Sequence, residues 1–281
     1  MIRFVTTLLA AFAATLGMAN AQSDLVKRGD YLVNGIMTCG NCHSPKGPPA
    51  AVAGKDFSGG LRFDEPPFDV TAPNITQDKD TGIGAWSDSD IKKLMRTGVR
   101  PNGVNIAVIM PTGFYDIITE RDMDAIVAYL RTIKPIANKV PDPIYKMQVP
   151  RQVFLGAETP YTEAMMSDKL KKGFYLATIA HCLECHTPTG PRGREFADML
   201  GSGGFEFRGP WGVSVSPNIT ASKTKGIGEW TDTEIKKVIT TGADKGGNHL
   251  KPPMGYQYYA TVTDDDLDAV VAYVRSLPAK E

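Results

Sequence analysis

Cys39-Gly40-Asn41-Cys42-His43 in the first half of the chain and Cys182-Leu183-Glu184-Cys185-His186 in the second hold all four cysteines of the protein. Each stretch is Cys-x-x-Cys-His. That spacing lets two thiols add across the two vinyl groups of one porphyrin while the next residue turns its imidazole onto the iron. The reading is two covalently bound haem c groups, one per half. Cys39, Cys42, Cys182 and Cys185 are the attachment points, and His43 and His186 the proximal ligands. A redox disulfide would leave both histidines unexplained. A single zinc held by four cysteines conflicts with the long gap between the pairs.

Outward from these motifs the chain repeats itself. Lys27-Arg28-Gly29-Asp30-Tyr31-Leu32 recurs as Lys171-Lys172-Gly173-Phe174-Tyr175-Leu176, and Pro73-Asn74-Ile75-Thr76 recurs from Pro217 to Thr220. Gly82 to Trp86 returns as Gly226 to Trp230, and Asp124 to Tyr129 as Asp268 to Tyr273. These pairs are offset by 144 (173 minus 29), whereas the cysteines are offset by 143 (182 minus 39). One residue is gained before the first cysteine pair and one lost after it, and such slips are expected in loops. The expected division is a signal peptide over 1–21, a haem domain over 22–134, a proline-rich connector over 135–167 and a second haem domain over 168–281.

Each repeat reads as mainly helical. Met123, Ile126, Val127 and Leu130 fall at i, i+3, i+4 and i+7, as do Leu267, Val270, Val271 and Val274. Thr119/Asp122, Thr263/Asp266, Ser87/Asp90 and Thr231/Glu234 place a hydroxyl residue three positions before an acid, the pattern of a helix start. Gly98 and Gly242 suit left-handed stops. A first helix is expected near Asp24–Val33 and Asp168–Ile179. The glycine- and proline-rich stretch of about 40 residues after each motif reads as a long loop that needs a haem to pack on. The connector holds Pro135, Pro141, Pro143, Pro150 and Pro160, which stiffen it. Its Ile144, Tyr145, Val153, Phe154 and Leu155 are expected to lie against the domains.

Arg3 followed by an apolar run from Phe4 to Met18 and by Ala19-Asn20-Ala21 reads as an export signal with a cleavage site. Lysine plus arginine equals aspartate plus glutamate, 31 against 31. No basic excess exists to attract nucleic acid.

A closed iron needs a sixth ligand. Met110 and Met254 are the methionines related by the 144 offset, and each adjoins proline. Both are assigned as metal ligands, with His249 as the competing candidate in the second half. His181 is expected on the surface or near a propionate.

Two Cys-x-x-Cys-His motifs, each followed by a methionine loop and a final amphipathic helix, resemble a tandem duplication of class I cytochrome c domains. Pro-Asn-Ile-Thr with Gly-Ile-Gly-x-Trp is similar to the cytochrome c subunits of bacterial membrane-bound alcohol, gluconate and related dehydrogenases. The resemblance implies about three main helices around each covalent haem, with Asn74, Trp86, Asn218 and Trp230 near the haem edges. It further implies a periplasmic or membrane-bound dehydrogenase as electron donor and a cytochrome, quinone or oxidase as acceptor. The location it implies is periplasmic, soluble or peripheral to the membrane. The other class weighed is a dihaem enzyme such as a peroxidase or a thiosulfate-oxidising cytochrome. Two paired methionines close both irons, which favours electron transfer over catalysis by the chain itself.

Overall fold

The helix starts follow the side chains that cap them. In the computed structural model, which describes residues 20–46, 52–191, 193–209 and 212–281, Ser87 and Asp90 form a full capping box at the head of α3 (Asp88–Thr97). Thr231 and Glu234 do the same for α7 (Asp232–Thr241). Gly98 and Gly242, both at φ 70°, end these helices in the left-handed region that glycine adopts without strain. Thr119 and Thr263 cap α4 (Glu120–Leu130) and α9 (Asp264–Ser276), accepting from the backbone N–H of Asp122 and Asp266. All but the last two residues of the expected signal peptide lie outside the described residues.

Helix α1 covers residues 20–30 and runs on as a π-turn over Tyr31–Ile36. It leads into the attachment helix α2 (Cys39–His43). In the second repeat α5 (Lys169–Ile179) leads into α6 (Cys182–Cys185) with no π-turn between them. The extra residue of the first repeat is thus absorbed inside a helix and not in a loop. A π-turn accommodates one inserted residue and spares the hydrogen-bond ladder on either side.

The stretches read as loops contain hairpins. β1 (Arg62–Glu65) and β2 (Phe68–Thr71) pair antiparallel, and β3 (Ile144–Tyr145) of the connector adds to β2. The second repeat has a small ladder, β4 (Thr189–Gly190) with β5 (Gly193–Arg194), and a hairpin of β6 (Glu206–Gly209) with β7 (Gly212–Val215). A short α8 (Tyr256–Tyr259) precedes α9.

The first and last helices of each repeat cross at a glycine. A Cβ on Gly29 would lie 1.9 Å from the Ala125 carbonyl oxygen, and one on Gly173 would lie 2.0 Å from that of Ala269. One continuous hydrophobic core runs through both repeats, from Leu32 and Met123 to Leu183 and Val271.

Beyond β3 the connector is pinned at three further places. Arg151 donates to the carbonyls of Arg96 (2.5 Å) and Thr112 (2.8 Å) and to the Asp116 carboxylate (2.6 Å). Phe154 stacks on Phe114 with ring centroids 4.8 Å apart, and its N–H donates to Gly113. The Tyr161 N–H donates to Ile117. Of the five apolar connector residues expected to lie against the domains, only Phe154 is buried. Ile144, Tyr145, Val153 and Leu155 remain exposed. Backbone pairing at β3 and the side chains of Arg151 and Phe154 do the docking.

Candidate functional site

The histidines of both Cys-x-x-Cys-His motifs are oriented by a backbone carbonyl. His43 Nδ1 lies 2.8 Å from the Pro73 oxygen, and His186 Nδ1 lies 2.8 Å from the Pro217 oxygen. A carbonyl only accepts, so Nδ1 carries the proton and Nε2 keeps its lone pair, the arrangement of a metal-bound imidazole. Burial lowers the pKa of both rings, which keeps them neutral as ligation requires. Pro73 and Pro217 open the Asn-Ile-Thr turns, so this is the work of the repeated loop.

The four cysteines are unpaired thiols. Burial pushes Cys39 to about 12, Cys42 to about 11 and Cys182 to about 12, and Cys185 higher still. Redox-active Cys-x-x-Cys pairs have lowered pKa values, so these apolar surroundings fit thioether attachment better than disulfide exchange. Among the described residues no three His, Cys, Asp or Glu converge on a metal-ion position. The donor set, two thiols one helical turn apart followed by an oriented neutral imidazole, fits a covalent haem in each repeat.

Asn74 is buried, and its amide is spent on the loop. It donates to Thr81 Oγ1 (3.0 Å) and the Ile136 carbonyl (2.7 Å), and its oxygen accepts from the Thr76 N–H. Asn218 repeats this with the Lys280 carbonyl (2.7 Å) and the Thr220 N–H (2.8 Å). Trp86 and Trp230 are half-buried against the shared core, as are Cys39, Cys182 and Met110. Met254 is half-buried on the loop ahead of α8. His249 is exposed and forms a β-bridge with Ala243, just as its counterpart Asn105 does with Val99. His181 is not on the surface. It is half-buried, hydrogen-bonded to Met37 of the first repeat, and driven down to about 4 by burial.

The methionine loop of each repeat packs on the attachment segment of the other. Asn41 donates to the Pro253 carbonyl at 3.2 Å, and Gly40 faces the Tyr258 ring. In the opposite sense, Phe114 meets Phe196, ten residues beyond His186, edge-on at 5.7 Å. Tyr115 is buried within electrostatic reach of Glu184, Cys39 and Cys42. The Cys42 thiol is among the groups that raise Cys185, and Glu184 among those that raise Cys42. Burial lifts the Glu184 carboxyl to about 7, with Arg194 opposing. These contacts between the repeats carry no mark in the sequence beyond the duplication, because each half is built from residues that would also suit an isolated domain.

A duplicated helical domain, each copy with a Cys-x-x-Cys-His helix and a carbonyl-held imidazole, defines a c-type haem protein. The cytochrome c family model matches residues 26–134 and again 170–278, and the chain belongs to that family. It is similar to the cytochrome c subunit of gluconate 2-dehydrogenase from Pantoea cypripedii, at 31% identity over 98% of this chain and 66% of the relative. It is also similar to the cytochrome c subunit of alcohol dehydrogenase (quinone) from Gluconacetobacter polyoxogenes, at 32% identity over 98% of this chain and 61% of the relative. A diheme c-type cytochrome of Cereibacter sphaeroides matches at 27% identity over 86% of this chain and 83% of its own length. The chain therefore spans less than two thirds of the length of the two dehydrogenase subunits. Among the described residues no helix is long and apolar enough to cross a membrane.

Proposed function

We propose that the chain is an exported dihaem cytochrome c that takes electrons from a dehydrogenase and passes them toward the respiratory chain. Cys39 and Cys42 would hold one haem, with His43 and Met110 on its iron. Cys182 and Cys185 would hold the other, with His186 and Met254. When bound, each haem supplies reversible one-electron chemistry at its iron. The protein's own part is to hold, orient and shield. The Pro73 and Pro217 carbonyls fix the imidazoles, the apolar surroundings keep the thiols dry, and the crossed methionine loops bring the two attachment helices together. That last observation carries the proposal. Electron tunnelling falls steeply with distance, and two attachment segments packed on each other's loops make a relay within one chain. The dehydrogenase as donor is supported by the names of the relatives.

Two measurements test this. The intact mass of the mature protein should show two haems, and replacing Cys182 and Cys185 by alanine should remove one of them. The reduced native protein should bind carbon monoxide poorly and exchange electrons rapidly with a small soluble cytochrome. Stoichiometric carbon monoxide binding at neutral pH, with multiple turnovers on a small molecule and no partner added, would replace the relay by a dihaem enzyme.

A further inference from the structure

The residues on either side of Met254 rest on the other repeat. Asn41, between the two attachment cysteines of the first repeat, donates its amide to the Pro253 carbonyl at 3.2 Å. That carbonyl and the Met254 nitrogen belong to one planar peptide unit, so fixing the oxygen fixes the direction in which the chain enters Met254. Gly255, the residue after it, is buried against the same segment. A Cβ there would lie 3.5 Å from Thr38 Cγ2 and 3.8 Å from Asn41 Nδ2. Tyr258 touches the segment again, since a Cβ on Gly40 would lie 3.4 Å from its ring and hydroxyl.

Asn41 is itself held. Its backbone N–H donates to the Thr38 carbonyl at 2.7 Å, and its side-chain oxygen accepts from the Lys46 ammonium at 3.3 Å. An ammonium only donates and a carbonyl only accepts, so the amide can point only one way, with its NH2 toward Pro253.

The duplication supplies a comparison inside the same chain. The counterparts of Asn41 and Pro253 are Glu184 (184 minus 41 is 143) and Ile109 (253 minus 109 is 144), and Gly255 is replaced by Pro111. Glu184 is turned toward His181, its carboxylate 3.8 Å from Nδ1. Ile109 is 40% exposed. The amide-to-carbonyl brace therefore runs one way, from the attachment helix of the first repeat to the methionine of the second.

We propose that Asn41 is a positioning residue for the sulfur ligand of the second iron, so that ligation in one repeat depends on the attachment helix of the other. With Cys39 and Cys42 tied to a haem, α2 becomes a fixed wall for the Met254 loop. This rests on Met254 being the ligand, and it adds where the rigidity of the ligand loop comes from. By this route the potential of the second haem answers to the first attachment site, and the reverse does not hold.

The probe is imidazole, which competes with a thioether for ferric iron, titrated into the oxidised dihaem protein. A Met110→Ala background leaves the near-infrared sulfur-to-ferric band to Met254 alone. Adding Asn41→Ala there should raise the imidazole affinity, read from loss of that band, about 5-fold, the effect of one hydrogen bond on the balance between open and closed loop. Asn41→Asp keeps the shape but sets a carboxylate against the carbonyl, so it should raise the affinity further. Asn41→Gln should restore it in part. In a Met254→Ala background the same changes should leave the displacement of Met110 unmoved. If intact mass shows that Asn41→Ala loses a haem, Asn41→Asp carries the test. A Met110→Ala protein with no near-infrared band would remove Met254 as the ligand, and with it the ligation reading. A band that is present, but whose loss to imidazole is the same with and without Asn41→Ala and Asn41→Asp, would overturn the positioning role alone. So would an equal shift at both irons.

Discussion

Tyr175 of the second repeat donates its hydroxyl to the buried Asp122 carboxylate of the first at 2.7 Å, and Tyr31 of the first donates to Asp266 of the second at 2.5 Å. All four residues are related by the repeat offset. The exchange is reciprocal, so the two copies face each other about an approximate two-fold. Each aspartate is also held within its own repeat. Arg28 grips Asp122 with two hydrogen bonds of 2.8 Å, and Lys172 pairs with Asp266. Desolvation and the hydrogen bond to Asp266 hold the Tyr31 hydroxyl at about 12, so it stays a donor at any physiological pH.

Tyr175→Phe removes one of the two crossing bonds and leaves Asp122 paired with Arg28. It should lower stability by about 1.5–3 kcal/mol, the range for a hydrogen bond to a charged group. Asp122→Ala leaves both Arg28 and Tyr175 without their carboxylate and should cost about 3–5 kcal/mol. Denaturant titration of the two variants checks both values, and equal losses would remove the distinction between them.

Gly173→Ala drives a methyl group into the Ala269 carbonyl where the first and last helices cross. Backbone lies on both sides, so the helices must separate, and the loss should be about 3 kcal/mol, the upper end of the overpacking range. Gly29→Ala should behave alike at Ala125. Thermal melts followed at the haem absorbance would show this, and a melting temperature unchanged by either substitution would contradict the crossing.

Met110→Ala and Met254→Ala should each remove about half of the near-infrared sulfur-to-ferric absorption of the oxidised protein. Each should also lower the potential of its own haem or turn that iron high-spin, since thioether ligation raises the potential. If Met254→Ala is silent and His249→Ala is not, the second-repeat ligand is the histidine.

Arg151 does not face the attachment site, but it clamps the segment just after Met110 through the Thr112 carbonyl and Asp116. Arg151→Ala should loosen that loop alone. On warming, the Met110 share of the near-infrared band should fade at a lower temperature than in the native protein, with the Met254 share unmoved. Arg151→Lys keeps the charge but not the fork, so it should restore the band only in part.

Much of this architecture is legible in the sequence because the duplication checks each reading twice. Ser87/Asp90 and Thr231/Glu234 announce complete capping boxes. Thr119/Asp122 and Thr263/Asp266 show the same pattern, yet the acids do not reach back to their caps. Their carboxylates are taken by Arg28 and Tyr175, and by Lys172 and Tyr31. A local pattern cannot tell which partner will win when one of them comes from the other repeat. The hairpins were hidden by glycine and proline, which mark turns but say little about the short strands between them. The π-turn over Tyr31–Ile36 was hidden because a one-residue insertion looks the same whether a helix or a loop absorbs it. The two Cys-x-x-Cys-His motifs stand out by spacing alone, and with them the expectation that their histidines are ligands. The orientation of those histidines by Pro73 and Pro217 does not, because it depends on a loop some 30 residues away.

The hydrogen bond from Asn74 to the Ile136 carbonyl bears on how the molecule can be divided. The repeat in the sequence ends near residue 134, but the fold of the first half does not. Ile136 completes the Asn74 turn, Asn138 donates to the Ser58 carbonyl at 2.8 Å, and Arg151, Phe154 and Tyr161 hold the Met110 segment. A fragment cut at 134 would lose all of these and leave a buried amide short of a partner. One running through Tyr161 would keep them. In the second half Lys280 takes the place of Ile136, so trimming residues 280 and 281 would remove the carbonyl that holds the turn orienting His186, whereas an extension would leave it in place.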